Sequence, residues 1–323
     1  MAYRDGWKRY TAVVFLIAAL AGTGVAQEPS GVVIKSETHL IDFTFSVHRP
    51  DGTLVKGLRR DDFAITEDGV PQKIAFFGTQ GELPLALGLI VDASDSQSKF
   101  YKRHRKDIEK FLRTVVRPQD EVFSICFGNH LRLTNEMTSS AETVMDGLER
   151  FDKGERDFLE LAAEDDREDQ SGGGTALYDA VYYSIHQKLA DALGHQRALI
   201  LFTDGEENAS AHDLLDAIDA ARESDTLIYA IRYTDQKDKR TPHARQGMAA
   251  LHHLSTETGG EDFDALHGDV QEAFGQIAEE LRSLYSVAYH STHRARDGAF
   301  HKVVITTTDP NDTVQARTGY YAR

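Results

Sequence analysis

An apolar run, ALGLIV (86–91), stops at Asp92, and two serines follow at alternating positions to give Asp92-x-Ser94-x-Ser96. A buried strand has no use for an acid and two hydroxyls at its end. The triplet is therefore either the cap of a following helix or part of a ligand set. Two more segments carry similar chemistry: Thr175 follows a glycine run in SGGGTALYDA, and Asp204 follows an apolar run in LFTDGEEN. Each is weak alone. A serine or aspartate ahead of a helix is more often a cap than a ligand, Thr-Asp-Gly after a strand is a common turn, and Gly172, Gly173 and Gly174 could simply be a flexible loop. Together they supply two carboxylates and three hydroxyls. Such a set is all hard oxygen, which suits Mg²⁺ or Mn²⁺, with Ca²⁺ less suited to so compact a site, and it offers zinc neither His nor Cys.

The elements that must position these residues are legible from residue 85 onward, where apolar strands alternate with amphipathic helices. The pattern predicts strands over 85–92, 121–128, 131–136, 197–203, 226–233 and 261–265, and helices over 98–116, 140–150, 175–193, 210–223, 243–258 and 269–283. RALILFTDG and TLIYAIRY are apolar over consecutive positions, as strands covered by helices on both faces are. The expected fold is α/β, an open and mostly parallel sheet with helices on both faces. Ligand sites in such sheets gather at the carboxyl ends of the strands, the edge at which Asp92, Ser94, Ser96, Thr175 and Asp204 would all face one point.

Either side of this domain the pattern is different. In 31–80, Ile41, Phe43, Phe45 and Val47 alternate with polar residues, the period of a half-buried strand, and DDFAITEDGVPQKIAFFG reads as a hairpin around Asp68-Gly69. Strand patterns return over 284–323 in LYSVAYHS, AFHKVVITTT and TVQARTGYYA. Neither flank is large enough to bury a core alone, so the two are expected to pair into one β-sandwich with the α/β domain, 84–283, inserted between them. The stretch 152–170 holds nine acids against three bases and reads as neither helix nor strand. It is a solvated loop or, more sharply, an acidic lid beside the metal site.

Asp92-x-Ser94-x-Ser96, Thr175 and Asp204, with their strand and loop settings, resemble the metal-ion-dependent adhesion site of von Willebrand factor type A (VWA) domains. The flanking GLRRDDFAITEDGVPQKIAFF and TVQARTGYY look like the exported bacterial VWFA-related Acidobacterial domain family. The resemblance implies a Rossmann-like fold for 84–283 and a cation coordinated through the hydroxyls of Ser94, Ser96 and Thr175. Asp92 and Asp204 would supply charge directly or through water, and an Asp or Glu of a protein partner would fill the open position. It also implies that partner binding can couple to a shift of the last helix, 269–283. Asp95 departs from the pattern, since many relatives carry glycine there, and is expected to face solvent. Asp179, one helical turn after Thr175, is expected to hold the loop by hydrogen bonds rather than to ligate.

Composition narrows the function. In residues 1–26, Arg4, Lys8 and Arg9 precede the apolar run TAVVFLIAALAG and a small-residue cut after Ala26, the layout of a secretory signal peptide, with an uncleaved anchor as the alternative. Removing them would take the formal charge from −16 to −18, a surface that repels nucleic acid and anionic lipid and suits cations. A periplasmic or extracellular protein is expected. The single cysteine, Cys126, permits no intrachain disulfide and reads as a buried, inert thiol. Ser94 lacks a Gly-x-Ser-x-Gly setting, no His-Glu-x-x-His occurs, and His252 and His253 are helix neighbours that diverge. The expected function is therefore non-catalytic protein binding, in adhesion or as a scaffold. The alternatives are a cell-envelope scaffold with a purely structural metal and a metal-assisted hydrolase. The sequons at Asn208 and Asn311 are read as chance.

Overall fold

The computed structural model describes residues 40–128, 130–161, 174–235, 237–293 and 298–322. The predicted signal peptide, residues 31–39 of the first flank and residues 162–170 of the acidic stretch lie outside these residues.

The first flank forms strands β1 (Leu40–His48), β2 (Phe63–Glu67), β3 (Val70–Gln72) and β4 (Ile74–Thr79). The central region follows as β5 (Leu85–Asp92), α1 (Tyr101–Val115), β6 (Glu121–Phe127), β7 (Leu131–Thr138), α2 (Ala141–Asp152), β8 (Leu159–Glu160) and α3 (Leu177–Ser184). It continues with β9 (Gln196–Thr203), α4 (Leu214–Glu223), β10 (Thr226–Arg232), α5 (Pro242–Thr256), β11 (Asp262–Asp264) and α6 (Val270–Leu281). The chain then returns to strands, β12 (Tyr285–His290), β13 (Phe300–Thr307), β14 (Thr313–Ala316) and β15 (Gly319–Tyr321).

The central sheet has seven strands in the order β11-β10-β9-β5-β6-β7-β8. All neighbours are parallel except at β7, which runs antiparallel to β6 and to β8. Every residue of β5 is buried, because the strand lies at the centre with helices on both faces. Leu85, Leu87, Leu89 and Val91 pack with Ile108 and Phe111 of α1 and Phe274 and Ile277 of α6. Ala86 and Ile90 point the other way, toward Ala180 and Val181 of α3 and Leu251 and Leu254 of α5. A Cβ at Gly88 would stand 2.4 Å from the Phe123 ring and 2.5 Å from Leu199, so this position takes no larger residue without repacking. The chain passes from β5 to β6 on one side, while β9 lies on the other. The carboxyl end of β5 is therefore a topological switch point, where a crevice opens.

The flanks form two four-stranded sheets, β14-β1-β12-β4 and β15-β13-β2-β3. Strands of both sheets share one apolar cluster, with Phe43, Phe45, Phe63, Ile65, Tyr285, Val287, Val303 and Ile305 buried together. The predicted Asp-Gly hairpin joins β2 to β3. Asp68 (φ 49°) and Gly69 (φ 82°) both lie in the left-handed region that a two-residue type I′ turn requires. The last predicted strand is two strands, since the chain leaves β14 at Arg317 and crosses to the other sheet as β15.

Three expectations are corrected. β1 is not half-buried, because its polar face is covered by the central domain: Thr44 Oγ1 donates to Asp225 Oδ2 (2.6 Å) and Ser46 Oγ to Glu280 Oε1 of α6 (2.8 Å). The acidic stretch is not loop throughout, because Leu159–Glu160 pairs with β7 as an edge strand, pinned by an Arg132–Glu160 ion pair at 2.7 Å. The helix predicted over 175–193 begins at Leu177 and passes into a wider π turn at Ile185–Leu189.

Candidate metal centre

Asp92 is the last residue of β5 and has no solvent exposure. Its Oδ1 accepts from Ser94 N–H (2.9 Å), and its Oδ2 accepts from the Thr203 hydroxyl at the end of β9 (2.5 Å). That hydroxyl in turn accepts from Gly205 N–H (3.0 Å), so one buried threonine sets both the Asp92 carboxylate and the turn carrying Asp204. Asp204 Oδ2 accepts from Ser96 Oγ (3.0 Å) and Gln97 Nε2 (2.5 Å), and Ser96 Oγ lies 3.1 Å from Ser94 Oγ. Asp92, Ser94, Ser96 and Asp204 thus belong to one hydrogen-bonded chain across the ends of β5 and β9. A short 3₁₀ turn over Asp95–Phe100 turns the serines into this edge before α1 begins. Tyr101 locks the turn by donating to the Ala93 carbonyl (2.5 Å). Ser94, in the cap position of that turn, makes no capping bond with its side chain, which leaves its hydroxyl to Ser96.

Thr175 is buried beside this chain but is joined to it through backbone rather than through its hydroxyl. Its N–H donates to Asn208 Oδ1 (2.9 Å), and its carbonyl accepts from the N–H groups of Asn208 and Ala209 (both 3.1 Å). Ala176 N–H reaches the Gly128 carbonyl after β6 (2.9 Å). A Cβ on Gly128 would lie 3.6 Å from the Gly174 carbonyl oxygen and 3.9 Å from that of Ala93, which places the three loops in contact. Asp95 is exposed, as expected. The Asp179 carboxylate accepts from the N–H groups of Ala211 (2.9 Å) and His212 (3.0 Å), so it holds the loop after β9.

Sequence reasoning missed Thr203, Gln97, Glu207 and Asn208. Glu207 accepts from Leu177 N–H at the start of α3 (2.5 Å) and from Ser210 N–H (2.7 Å), tying the Asp204 loop to the helix that follows Thr175. In Asp204-Gly-Glu-Glu-Asn208 the polar residues two to four positions past Asp204 were the available signal.

The electrostatics suit a cation. Burial first, then the Asp204 charge, push the Asp92 carboxyl up to about 7, and no positive group offsets them. Lys99, in the serine turn, pairs with Asp235 (3.3 Å). Gln97 Oε1 is buried without a hydrogen-bond partner. Two carboxylates and two hydroxyls gathered with no counter-charge among the described residues form a set that a hard dication fits. Beside Ser96 and Asp204 opens a cleft of about 330 Å³, lined by Phe100, Glu206, Tyr233, Thr241 and His243 among others. Cys126 is buried and inert, its thiol pushed well above the usual range by desolvation.

The seven-stranded, mostly parallel sheet with helices packed on both faces is the α/β architecture expected for 84–283. No protein-family model matches the sequence, and no curated protein does. Among solved structures, an aerotolerance-related membrane protein from Bacteroides fragilis is 16% identical at a TM-score of 0.44, over 61% of this chain and 98% of that one. Proximal thread matrix protein 1 from the mussel byssus, in a form with a zinc-occupied MIDAS motif, is 14% identical at 0.40, over 62% and 48%. The pilus adhesin SpaC from Lactobacillus rhamnosus GG is 10% identical at 0.44, over 83% and 48%. This chain thus spans about half of the mussel and Lactobacillus proteins. Among the described residues, no helix is long and apolar enough to cross a membrane.

Proposed function

We propose that this chain is an exported, non-catalytic binding protein. Asp92, Ser94, Ser96, Thr175 and Asp204 would hold a divalent cation, Mg²⁺ or Mn²⁺ before Ca²⁺. When bound, the cation would supply an electrophilic position for an Asp or Glu carboxylate of a protein partner. The observation that carries this reading is the pair of buried carboxylates, Asp92 and Asp204, wired to the Ser94–Ser96 turn at the switch point with no ion-pair partner among the described residues. The protein's own residues do the remaining work. Thr203 and Gln97 orient the carboxylates, Tyr101 fixes the serine turn, and the 330 Å³ cleft gives a partner side chain room beside Ser96. In this reading the flanks, 31–80 and 284–323, form one β-sandwich carrying the inserted domain 84–283, the arrangement suggested by the resemblance to the VWFA-related Acidobacterial domain. Residues 1–26 direct export to the periplasm or beyond.

A hydrolytic role has less support. Among the described residues the hydroxyls of Ser94 and Ser96 meet each other and Asp204, and neither meets a histidine or lysine that could serve as base. A pull-down from exported proteins in Mg²⁺, reversed by EDTA, tests the proposal, with Asp204→Ala as control. Retention of a partner by wild type alone, and only with metal, is the expected outcome. If EDTA lowers the melting temperature yet leaves the partner bound, the metal is a brace and the flanks make the contact.

A further inference from the structure

Away from this centre, the flanks bring a carboxylate and two imidazoles together from three separate segments. Glu67 ends β2, His301 lies in β13, and His293 follows β12. One ligand atom from each lies within 4.8 Å of the others. The Glu67 side chain is fully buried, although nothing about a β-strand facing an apolar cluster calls for an acid there. Its Oε1 accepts from Ser291 Oγ (2.7 Å) and Tyr320 Oη (3.0 Å) and lies 2.9 Å from His293 Nδ1. Its Oε2 is buried with no hydrogen-bond partner among the described residues. The two imidazoles stack, with centroids 4.8 Å apart and planes 26° from parallel. Asp68, next in the chain, stands 2.7 Å from His301 Nδ1 and 3.9 Å from that of His293.

Burial works against the Glu67 charge, the Tyr289 hydroxyl beside it offsets part of that cost, and a positive charge would relieve more of it. Two imidazoles and a carboxylate are nitrogen and oxygen donors of the kind that hold Zn²⁺ and its first-row neighbours, unlike the all-oxygen set at the sheet edge. We propose that Glu67, His293 and His301 form a second metal site, taking Zn²⁺ or a similar first-row dication, that clamps the two flank sheets together. Asp68 serves as a fourth donor or as the group that orients His301, the usual role of a carboxylate beside a ligating imidazole. Zinc–ligand bonds of about 2.0–2.1 Å place donors roughly 3.4 Å apart, so the widest pair must close by about 1 Å. His293 is partly exposed and lies outside any strand, so the adjustment falls on its side chain. The clamp would join the first flank to the second and both four-stranded sheets to each other, because β2 and β13 belong to one sheet and His293 leaves the other.

The test is a Co²⁺ titration of the full chain, stripped by chelator and then held in excess Mg²⁺ to occupy the all-oxygen centre. Four-coordinate Co²⁺ absorbs visible light far more strongly than six-coordinate Co²⁺, which separates the two sites spectroscopically. The expected result is one equivalent of intensely absorbing Co²⁺ that Zn²⁺ displaces and Mg²⁺ does not, with a rise in melting temperature on Zn²⁺ addition. His293→Ala should weaken Co²⁺ binding by at least about tenfold, and because its ring is partly exposed the variant should still fold. Glu67→Gln should do the same, and Asp204→Asn should retain the spectrum. Absence of the band in Mg²⁺-saturated protein, or an unchanged band in folded His293→Ala, would overturn the proposal and leave a hydrogen-bonded network only. Loss of the band in Asp204→Asn would assign the ion to the first centre and overturn it equally.

Discussion

Gly247 of α5 and Gly205, the residue after Asp204, are pressed backbone to backbone, and replacing the helical one separates site geometry from global stability. A Cβ on Gly247 would fall 2.8 Å from the Gly205 carbonyl carbon and 2.9 Å from the carbonyl oxygens of both Asp204 and Gly205. These are main-chain atoms with no side chain to swing away, and ordinary contact begins near 3.4 Å. Gly247→Ala must therefore push α5 or the Asp204 turn aside by about half an ångström or more. Overpacking of this kind costs about 1–3 kcal/mol, while alanine in a helix interior returns about 1 kcal/mol over glycine. The net loss of stability should be about 0–2 kcal/mol. The cost to the site should be larger, because displacement of Asp204 breaks the hydrogen bonds that hold it to Ser96 and Gln97. Urea unfolding followed by circular dichroism reads the first quantity, a suitable probe because the only tryptophan is Trp7 in the expected signal peptide. The Mg²⁺-induced rise in melting temperature reads the second. Gly275→Ala in α6, where a Cβ meets nothing within 4 Å, is the control and should stabilise by about 0.5–1 kcal/mol. A Gly247→Ala protein with wild-type stability and an undiminished Mg²⁺ response would refute the reasoning.

Two more predictions concern contacts at the ends of the central sheet and its flanking strands. Asp120 is fully buried, accepting from Leu85 N–H (2.8 Å) and Arg117 N–H (2.7 Å) and paired with Arg282 just past α6. Asp120→Ala strands the guanidinium and should cost about 3–5 kcal/mol in denaturant unfolding, with Asp120→Asn costing less because it still offers an acceptor to Leu85. His48 in β1 has its pKa raised, chiefly by the Glu280 carboxylate 3.9 Å away. Raised above the unfolded value, it contributes stability that is complete below about pH 6.5 and lost as pH rises through the folded pKa. The melting temperature should fall from about pH 6 to about pH 8 in wild type, and His48→Gln should flatten that slope.

Much of the central domain was legible because its signals are local. β5 was bounded to the residue, since a strand buried on both faces is one apolar run with a polar stop. The Asp-Gly turn was legible because two left-handed residues leave few alternatives. What was not legible depended on partners distant in sequence. β8 is a two-residue strand only because β7 is beside it, and its composition argued for loop. α3 begins two residues later than predicted because the Thr175 carbonyl is taken by Asn208 and Ala209, and α4 starts at Leu214 because the loop before it is spent holding the site. The polar positions of β1 pointed to solvent in the sequence and meet α6 and Asp225 in the fold. Glu67 lies more than two hundred residues before His293 and His301, so no spacing rule could have joined it to them.

The Ser46–Glu280 contact has a mechanical consequence. It latches the carboxyl end of α6, the helix that resemblance to the VWA family marks as the moving part, to a strand paired on both edges. Gln315 of β14 reaches the same carboxylate (3.3 Å), so the latch has a second tooth. Tension arriving through α6 would pass into β1 and spread along two antiparallel ladders as shear rather than peeling one bond at a time. The flanks would then be the ground against which a pull on α6 is resisted, through the grip of Ser46 and Gln315 on Glu280.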